Sequence, residues 1–408
     1  MCWHELKIKP RDVLFFRDAT PISGASIGQG ATWPLPNALH DALIHTLKRE
    51  WPNRQDWEHQ HKNKNKKDNR DKIDFKNLRF GGLQTIGPFP QKDDTFYLPT
   101  PKDIDPDGNL FQLLSQQKEC SNDLPDFLTH AAAPNGAPSK KEIPSWIPCE
   151  QYCKYLEGES VSLGKTILFE SEARPGIGID PETGTADKGK ENEGGKFYLA
   201  EYLRLHDDVS MKSFARCDSS IRGEKSADVM GKLFPKNSTL PFIFGGQQGV
   251  VSAEGKREEH PFWKDLELNE EGLFVKWILL APAVFSKGWL PDIVNGNGVV
   301  KGKRERPARE KGQTRAQWRK AIAETPDIQA NLVAACTGKP VAFSGWNLRI
   351  GGPKPTMLAV PAGSVYWFKA STKEDADALI RSLHGRCRSE FYGEKGFGFG
   401  ICTKQNEL

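Results

Sequence analysis

The last sixteen residues of the chain contain a run in which glycine alternates with aromatic side chains. The run reads Gly393-Glu394-Lys395-Gly396-Phe397-Gly398-Phe399-Gly400-Ile401. Glycine at alternate positions removes the side chains that would hold another backbone away, and the phenylalanines between them can pack inward or stack on flat rings. The pattern therefore favours close contact with a phosphodiester chain, although glycine-rich strands also occur where two sheets pack tightly.

A basic turn precedes this glycine-rich loop. Arg386 and Arg388 follow a predicted helix, which places two guanidinium groups beside the loop as candidate RNA ligands. The helix is predicted because Ser371-Thr372-Lys373-Glu374 has the sequence of a capping box, apolar residues then recur at helical spacing, and Gly385 ends it. A short last strand over residues 399–403 follows the loop, and the apolar run 363–368 is its predicted neighbour in a sheet.

Composition limits how a nucleic acid could be bound. The chain has 408 residues, enough for two or three domains with their own cores, and its formal net charge is only +4. An overall polycation is therefore excluded, and any nucleic-acid surface must be a local patch. Residues 301–320 hold nine lysines and arginines against two glutamates, which is typical of a solvated loop or of contact with a nucleic acid or a partner.

The cysteines indicate a reducing compartment. Eight are scattered through a chain in which we find no secretory leader and no apolar run long enough to span a bilayer, so we expect free thiols, a cytoplasmic location and no membrane partner. Cys149 and Cys153 form the only close pair, without further cysteines or histidines at zinc-ligand spacing. We predict neither a metal nor a cofactor.

Further elements are predicted from the amino-terminal end. A helix begins around residues 35–37 after a glycine and serine loop, and Asn37 could cap it. A helix start beside a polar loop is a candidate anion site, so Asn37 is a candidate RNA ligand. Residues 53–76 have almost no apolar content and are predicted to form a solvated insertion, and residues 100–150 an elaborated surface segment.

A protruding hairpin is predicted in the middle of the chain. Two strands, residues 166–170 and 196–205, are joined by the excursion 173–186, whose centre is a turn of the Asp-Pro-x-x-Gly kind. A second pair of strands is predicted at residues 240–244 and 249–251, on either side of two glycines and two glutamines.

The order of these elements predicts an α+β fold of two ferredoxin-like (RRM-like, split βαβ) domains with large insertions. The first domain, residues 1–265, would carry a thumb-like hairpin near 173–197. The second domain, residues 270–408, would carry a basic insertion at 295–325 and the glycine-rich loop at 393–400.

Four segments in this order resemble the RAMP proteins of CRISPR systems, most closely the family of the third subunit of the type III-B, or Cmr, effector complex. The likeness rests on residues 14–18, on residues 176–180 and 183–186 with 198–205, on residues 360–366 and on the glycine-rich loop. The resemblance implies an RNA-binding subunit without catalysis that captures the repeat-derived 5′ handle of a guide RNA. It implies the large polymerase-like Cas subunit and a backbone RAMP subunit as partners.

The resemblance also assigns RNA contacts by position. Arg17 would contact the RNA beside the first strand, although it could instead pair with Asp18. The glycine-rich loop would form a cradle for the RNA from Gly393, Lys395, Gly396, Phe397, Gly398 and Phe399, next to Gly400. Arg174, Ile177 and Ile179 would lie on the thumb-like hairpin and wedge the strand where handle gives way to guide, unless the isoleucines cover a local core.

Other functions remain open at this point. A RAMP-type endoribonuclease that processes repeat RNA would need a general acid and base, for which His4 and His384 are the candidates. A nucleotide-binding enzyme is disfavoured because no lysine followed by serine or threonine follows the loop, and because the helix precedes it. An interaction scaffold without RNA contact and the equivalent handle-binding subunit of a type III-A complex are further alternatives.

Overall fold

A computed structural model of the chain describes residues 2–16, 27–28, 32–51, 80, 82–115, 124–136, 141–180, 182–186, 197–221, 224–266, 271–305, 307–310, 312–344, 346–347 and 352–406. The insertion predicted at 53–76 lies outside these residues.

Within the described residues the chain forms 22 strands and six α-helices. The strands are β1 (Trp3–Pro10), β2 (Ile27–Gly28), β3 (Leu83–Lys92), β4 (Thr95–Pro99), β5 (Gln112–Ser115), β6 (His130–Ala133), β7 (Trp146–Pro148), β8 (Phe169–Ile177), β9 (Phe197–Leu205), β10 (Val209–Ile221), β11 (Glu224–Asp228), β12 (Thr239–Ile243), β13 (Val250–Glu258), β14 (Phe274–Leu279), β15 (Ala330–Cys336), β16 (Val341–Phe343), β17 (Trp346–Asn347), β18 (Gly352–Pro353), β19 (Met357–Ala359), β20 (Val365–Ala370), β21 (Arg386–Cys387) and β22 (Phe399–Gln405). The helices are α1 (Pro36–Glu50), α2 (Cys149–Glu157), α3 (Val229–Leu233), α4 (Phe262–Asp265), α5 (Arg315–Glu324) and α6 (Lys373–Leu383).

The larger sheet is antiparallel and comes from the first part of the chain. Strands β12, β13, β1, β10, β3, β4 and β7 lie side by side, and β11 pairs with β10. In its centre β1 lies between β10 and β13, while β3 flanks β10. Helix α1 connects towards β3 and buries Leu39, Leu43 and Leu47, which are spaced by one helical turn, against this sheet.

The smaller sheet repeats the arrangement in the last part of the chain. Its order is β15, β20, β14, β22 and β21, with β14 between β20 and β22. The prediction that the last strand pairs with residues 363–368 is therefore wrong, since β14 separates β22 from β20. Strand β14 takes the central place because its residues are buried from Val275 onward, so it needs a neighbour on both edges.

The last helix and the hairpin of β12 and β13 are found where the sequence predicts them. The caps differ from the prediction. Helix α6 is capped by Thr372, whose hydroxyl accepts a hydrogen bond from the Asp375 amide at 3.2 Å. Helix α1 begins at Pro36 after Leu35, with no side-chain cap, so Asn37 lies in its first turn and is not the cap. Proline at the first position needs no cap for its own nitrogen, which carries no hydrogen.

The two sheets meet through one shared core. Side chains alternate along a strand, so each sheet presents one face to its helices and the other to the partner sheet. In β10, Met211 and Ala215 pack with α1 and α3, whereas Phe214 joins the shared core. In β22, Cys402 packs on the side of α6, whereas Phe399 and Ile401 join the shared core. Both inner sheet faces are therefore covered by protein.

Part of the segment 100–150 lies in this shared core, which corrects the prediction of a surface segment. Asp103 and Ile104 are fully buried. A carboxylate can be buried there because the Lys276 ammonium of β14 lies 2.6 Å from Asp103 Oδ2 and the Tyr155 hydroxyl donates to Oδ1 at 2.6 Å. Burial lowers the pKa of Lys276, and the Asp103 charge opposes that change.

None of the helices in the described part of the chain is both long and apolar enough to cross a bilayer.

Candidate nucleic-acid interface

A basic cleft of about 860 Å³ opens at the border of the shared core. One wall comes from the turn after α6 and includes Arg386, Arg388 and Gly393. The other wall comes from the larger sheet and includes Trp3 and Arg216. The remaining lining residues are Gln84, Ile86, Trp263, Lys264, Leu266, His384, Gly385, Cys387, Ser389 and the acidic Glu394. The fold thus brings three of the predicted RNA ligands together with side chains from the other end of the chain.

The arginines of the first wall are held by neutral groups. Gly385 ends α6 with a φ of 64°, which turns the chain into the edge strand β21. Arg386 Nε then donates to the Arg381 carbonyl at 2.8 Å, and Arg388 Nε donates to the Ser382 carbonyl at 2.5 Å. Carbonyls orient a guanidinium group without neutralising it. Burial, and next the Arg386 charge, lower the pKa of Arg388, so this wall favours an anion.

The second wall was not found by sequence reasoning. Arg216 donates to Gln84 Oε1 from Nε at 2.8 Å and from Nη2 at 2.6 Å, and its guanidinium carbon lies 4.5 Å from the centre of the Trp3 ring. Trp3 in turn packs edge-on against Trp263, with ring centres 5.4 Å apart. This wall therefore combines a cation, an amide and the half-buried ring of Trp3, which are the groups that bind unstacked nucleotides.

The glycine-rich loop packs against the protein itself. Side-chain carbons built on Gly396 and Gly398 would lie 2.6 Å from the Thr85 carbonyl oxygen and 2.4 Å from the Arg388 carbonyl carbon, and one on Gly400 would lie 2.4 Å from Trp277 Nε1. The space beside these three glycines is thus occupied by other parts of the protein. This agrees with the alternative that glycine-rich strands occur where sheets pack tightly. Gly393 differs, because it lines the cleft.

The phenylalanines of the loop are not open to bases in this structure. Phe397 and Phe399 have no exposed surface. Phe397 packs on Phe343 with ring centres 5.0 Å apart, and Phe399 on Trp263 at 5.1 Å. Of the two possibilities that the sequence leaves open, inward packing and stacking on flat rings, the structure shows inward packing for both side chains.

Lys395 joins the loop to α1. Its ammonium lies 2.9 Å from Asp41 Oδ1, and its side chain is buried. Burial lowers the pKa of Lys395. Burial alone would raise the pKa of Asp41, but the hydrogen bond from His40 and the Lys395 charge lower it to about 2. The lysine charge is therefore neutralised within the protein, which removes the physical reason for assigning it to a phosphate.

The hairpin of β8 and β9 pairs residues 169–177 with 197–205. Ile177 and Ile179 are 56% and 63% exposed, so they do not cover a local core. Arg174 lies nearer the base, where Asp12 and Glu172 accept hydrogen bonds from it at 3.0 and 2.6 Å and Arg204 contacts the same two carboxylates. The charges of two arginines and two carboxylates cancel there. The role of the hairpin as a wedge stays a prediction.

Arg17 lies outside the described residues. The segment before it is fixed at the base of the hairpin, since the Leu14 amide donates to the Leu203 carbonyl at 2.9 Å and Phe16 packs on Phe244 with ring centres 5.1 Å apart.

The two histidines considered for RNA cleavage lie in different cavities. His4 Nε2 is 2.8 Å from Asp228 Oδ2, in a cavity of about 670 Å³ lined by β1, β13 and the segment after α3. His384 lines the basic cleft, but Nε2 donates to the Trp263 carbonyl at 2.6 Å and Nδ1 accepts from the Cys402 amide at 3.1 Å. The fold therefore does not join them into one acid and base pair.

The bonds of His384 predict a pH dependence of stability. Only the neutral ring can donate and accept in this way, and burial lowers its pKa below the usual 6.5. A depressed folded-state pKa contributes stability above pH 6.5 that is lost as the pH falls towards the folded-state value. We expect the thermal midpoint of the parent to fall between pH 7.5 and 5.5, and that of His384→Gln to fall less. His45→Gln, at an exposed site on α1, should keep the parental slope; equal slopes for all three proteins would contradict the assignment.

The chain resembles known proteins over nearly its whole length. A family model described as CRISPR-associated protein (Cas_Cmr3) matches residues 6–404. The protein chain is also similar to solved structures. One is a chain of the Type III-B Cmr-beta bound to cognate target RNA and AMPPnP, with 14% identity, a TM-score of 0.45 and coverage of 93% of this chain and 88% of that chain. A chain of Cmr-beta bound to cognate target RNA has 13% identity and a TM-score of 0.44, and the match covers 96% of this chain and 95% of that chain. A chain of the Csm3-Csm4 subcomplex in the type III-A CRISPR-Cas interference complex has 11% identity and a TM-score of 0.37, and the match covers 90% of this chain and 92% of that chain. No curated protein matches.

Proposed function

The chain belongs to the CRISPR-associated Cas_Cmr3 family, and from this premise we propose that it is a non-catalytic, cytoplasmic subunit of a type III-B CRISPR ribonucleoprotein that binds and caps the repeat-derived 5′ handle of the guide RNA. The observation that carries the proposal is the basic cleft. Its two arginines on one wall are bonded to backbone carbonyls, and the opposite wall adds Arg216 and Trp3.

A single-stranded handle fits the chemistry of the cleft. Its phosphates would be bound by Arg386 and Arg388, with the Gly393 backbone beside them. Its unstacked bases would meet the aromatic and amide groups of the second wall. RNA-recognition domains commonly stack bases on the face of a four-stranded sheet, but the shared core occupies both inner faces here. The RNA therefore binds at the border of the sheets.

The strand orders support the proposal of two ferredoxin-like domains, residues 1–265 and 270–408. In the larger sheet β1 lies between β10 and β13, and β3 flanks β10. In the smaller sheet β14 lies between β20 and β22, and β15 flanks β20. Counted along each unit, the first strand thus lies between the third and the fourth, and the second flanks the third. A helix lies between the third and fourth strands in both units. This is the arrangement of a split βαβ unit.

The proposed protein partners rest on membership of the Cas_Cmr3 family. The large polymerase-like Cas subunit and a backbone RAMP subunit would flank this chain, and the handle would pass from the basic cleft towards them. The hairpin of β8 and β9, with Ile177 and Ile179 exposed near its tip, would wedge the strand at the boundary between handle and guide.

Sequencing the RNA that copurifies with the protein tests the proposal. Handle binding predicts RNA species that differ in sequence but share one constant 5′ end. Random 5′ ends would refute handle capture and favour unspecific RNA binding. Loss of a synthetic repeat RNA during incubation with the purified protein, abolished by His384→Ala, would support the endoribonuclease instead.

A further inference from the structure

The basic insertion lies between β14 and β15 of the smaller sheet and is anchored at its base by two ion pairs. Arg304 makes two bonds to the buried carboxylate of Asp375, with Nε at 2.7 Å and Nη2 at 2.8 Å from its oxygens. Lys303 Nζ pairs with Asp327 Oδ1 at 3.0 Å on the returning strand. Between these anchors the insertion carries α5, in which the structure finds no buried residue. We call residues 301–327 the arm.

Helix α5 is stabilised by local contacts and has no fully buried residue. It has a capping box between Thr314 and Gln317, and Trp318 Nε1 donates to the Pro307 carbonyl at 2.8 Å, but no face of α5 enters a core. Trp318, Ala321 and Ile322 form a half-buried apolar side of α5, and the rest of the helix is open to solvent. Arg315 and Arg319 are exposed and spaced by one helical turn, so their side chains stand on one face.

The arm is connected to the basic cleft by arginines. Arg381, exposed in the last turn of α6, donates from Nη2 to the Arg304 carbonyl at 3.5 Å. Arg386 of the cleft donates in turn to the Arg381 carbonyl at 2.8 Å. In the described residues the acceptors of these side chains are carbonyls, whereas Arg304 itself is neutralised by Asp375. Two exposed arginines, Arg386 and Arg381, thus lie between the cleft and the backbone of Arg304 at the base of the arm.

We propose that Arg386, Arg381 and the exposed Arg315 and Arg319 of α5 form a cationic track that binds single-stranded RNA continuing out of the basic cleft. The inference rests on the proposed function, since it assumes that RNA occupies the cleft. Continuity with the cleft and the charge of the track favour a phosphate chain. The exposed face of α5 offers the guanidinium groups of Arg315 and Arg319, which can form paired hydrogen bonds with phosphates.

Two RNA lengths test the track separately from the cleft. The full-length protein is titrated with a short RNA containing the handle alone, and with the same RNA extended by about ten nucleotides at either end, because single-strand sites commonly span about 4–16 nucleotides. The arm variant Arg315→Ala/Arg319→Ala should bind the short RNA like the parent. It should bind one of the extended RNAs about tenfold more weakly than the parent, with a salt slope smaller by about 1.4, since each lost phosphate contact of a single strand removes about 0.7.

The controls separate the possible failures. Lys9→Ala/Lys48→Ala removes two exposed positive charges from the larger sheet and α1, and should bind both RNA lengths like the parent. An arm variant that binds both extended RNAs with parental affinity and salt slope would overturn the track, and loss of a protein subunit from the complex in that variant would assign α5 to a protein partner. A cleft variant, Arg386→Ala/Arg388→Ala, that binds the short RNA normally would instead refute the proposed function.

Discussion

Alanine at both Arg386 and Arg388 should weaken binding of a handle RNA by about 100-fold at 0.1 M salt. Each guanidinium that bonds a phosphate contributes about 1.5–3 kcal/mol, so two contribute at least about 3 kcal/mol. Both side chains are oriented by carbonyls of the last helical turn, and their loss leaves no buried carboxylate unpaired. The effect should therefore appear in RNA affinity, measured by fluorescence anisotropy, with little change in the thermal midpoint.

The same measurement on Lys9→Ala/Lys48→Ala provides the comparison for an equal change in net charge. Parental affinity in that variant and a large loss in the arginine variant would place the site in the cleft. Equal, small losses in both would show that the RNA responds only to overall charge, and the assignment of the cleft would be wrong.

Lys276→Met should lower the free energy of unfolding by about 3–5 kcal/mol, because it leaves the Asp103 carboxylate buried without its cation. Both side chains are almost fully buried, at 2% and 1% exposure, between strand β14 and the segment after β4. Urea unfolding followed by circular dichroism measures the change. The double variant Asp103→Leu/Lys276→Met should recover most of the loss, since two apolar groups require no partner.

Lys369→Met is the matched control for this substitution. Lys369 lies on the neighbouring strand β20 but is exposed, so its replacement should change stability by less than about 0.5 kcal/mol. A loss in Lys276→Met no larger than in Lys369→Met would show that the buried ion pair does not hold the two sheets together.

Elements with strong local signals were predictable from the sequence. The last helix follows from its apolar spacing and from Gly385, and the pair of β12 and β13 follows from two apolar runs around a glycine turn. The cap of α6 lies one residue after the predicted Ser371, because both Ser371 and Thr372 carry a hydroxyl that can cap a helix. Such choices depend on the backbone dihedral angles, which the sequence does not specify.

The function of the glycine-rich loop was harder to predict. Alternating glycines show that something approaches the backbone closely, but not what approaches. Here the neighbours are Thr85 and Arg388, one of them some three hundred residues away in the chain. The two walls of the cleft could not be predicted from the sequence either. Gln84 and Arg216 are 132 residues apart, and each is an ordinary surface residue in its own strand. The ion pair of Asp103 and Lys276 was missed for the same reason.

Under the proposed function, the core shared by the two sheets limits how RNA would enter the basic cleft. Separating the walls would bring Phe214, Trp367 and Ile401 into water, and exposure of each large apolar side chain costs about 1.5–3 kcal/mol. We therefore expect the cleft to keep its width when it binds RNA, because opening it would expose these side chains. It should admit a strand that is already unpaired, select against a folded stem by shape, and leave the conformational ordering on binding to the nucleic acid alone.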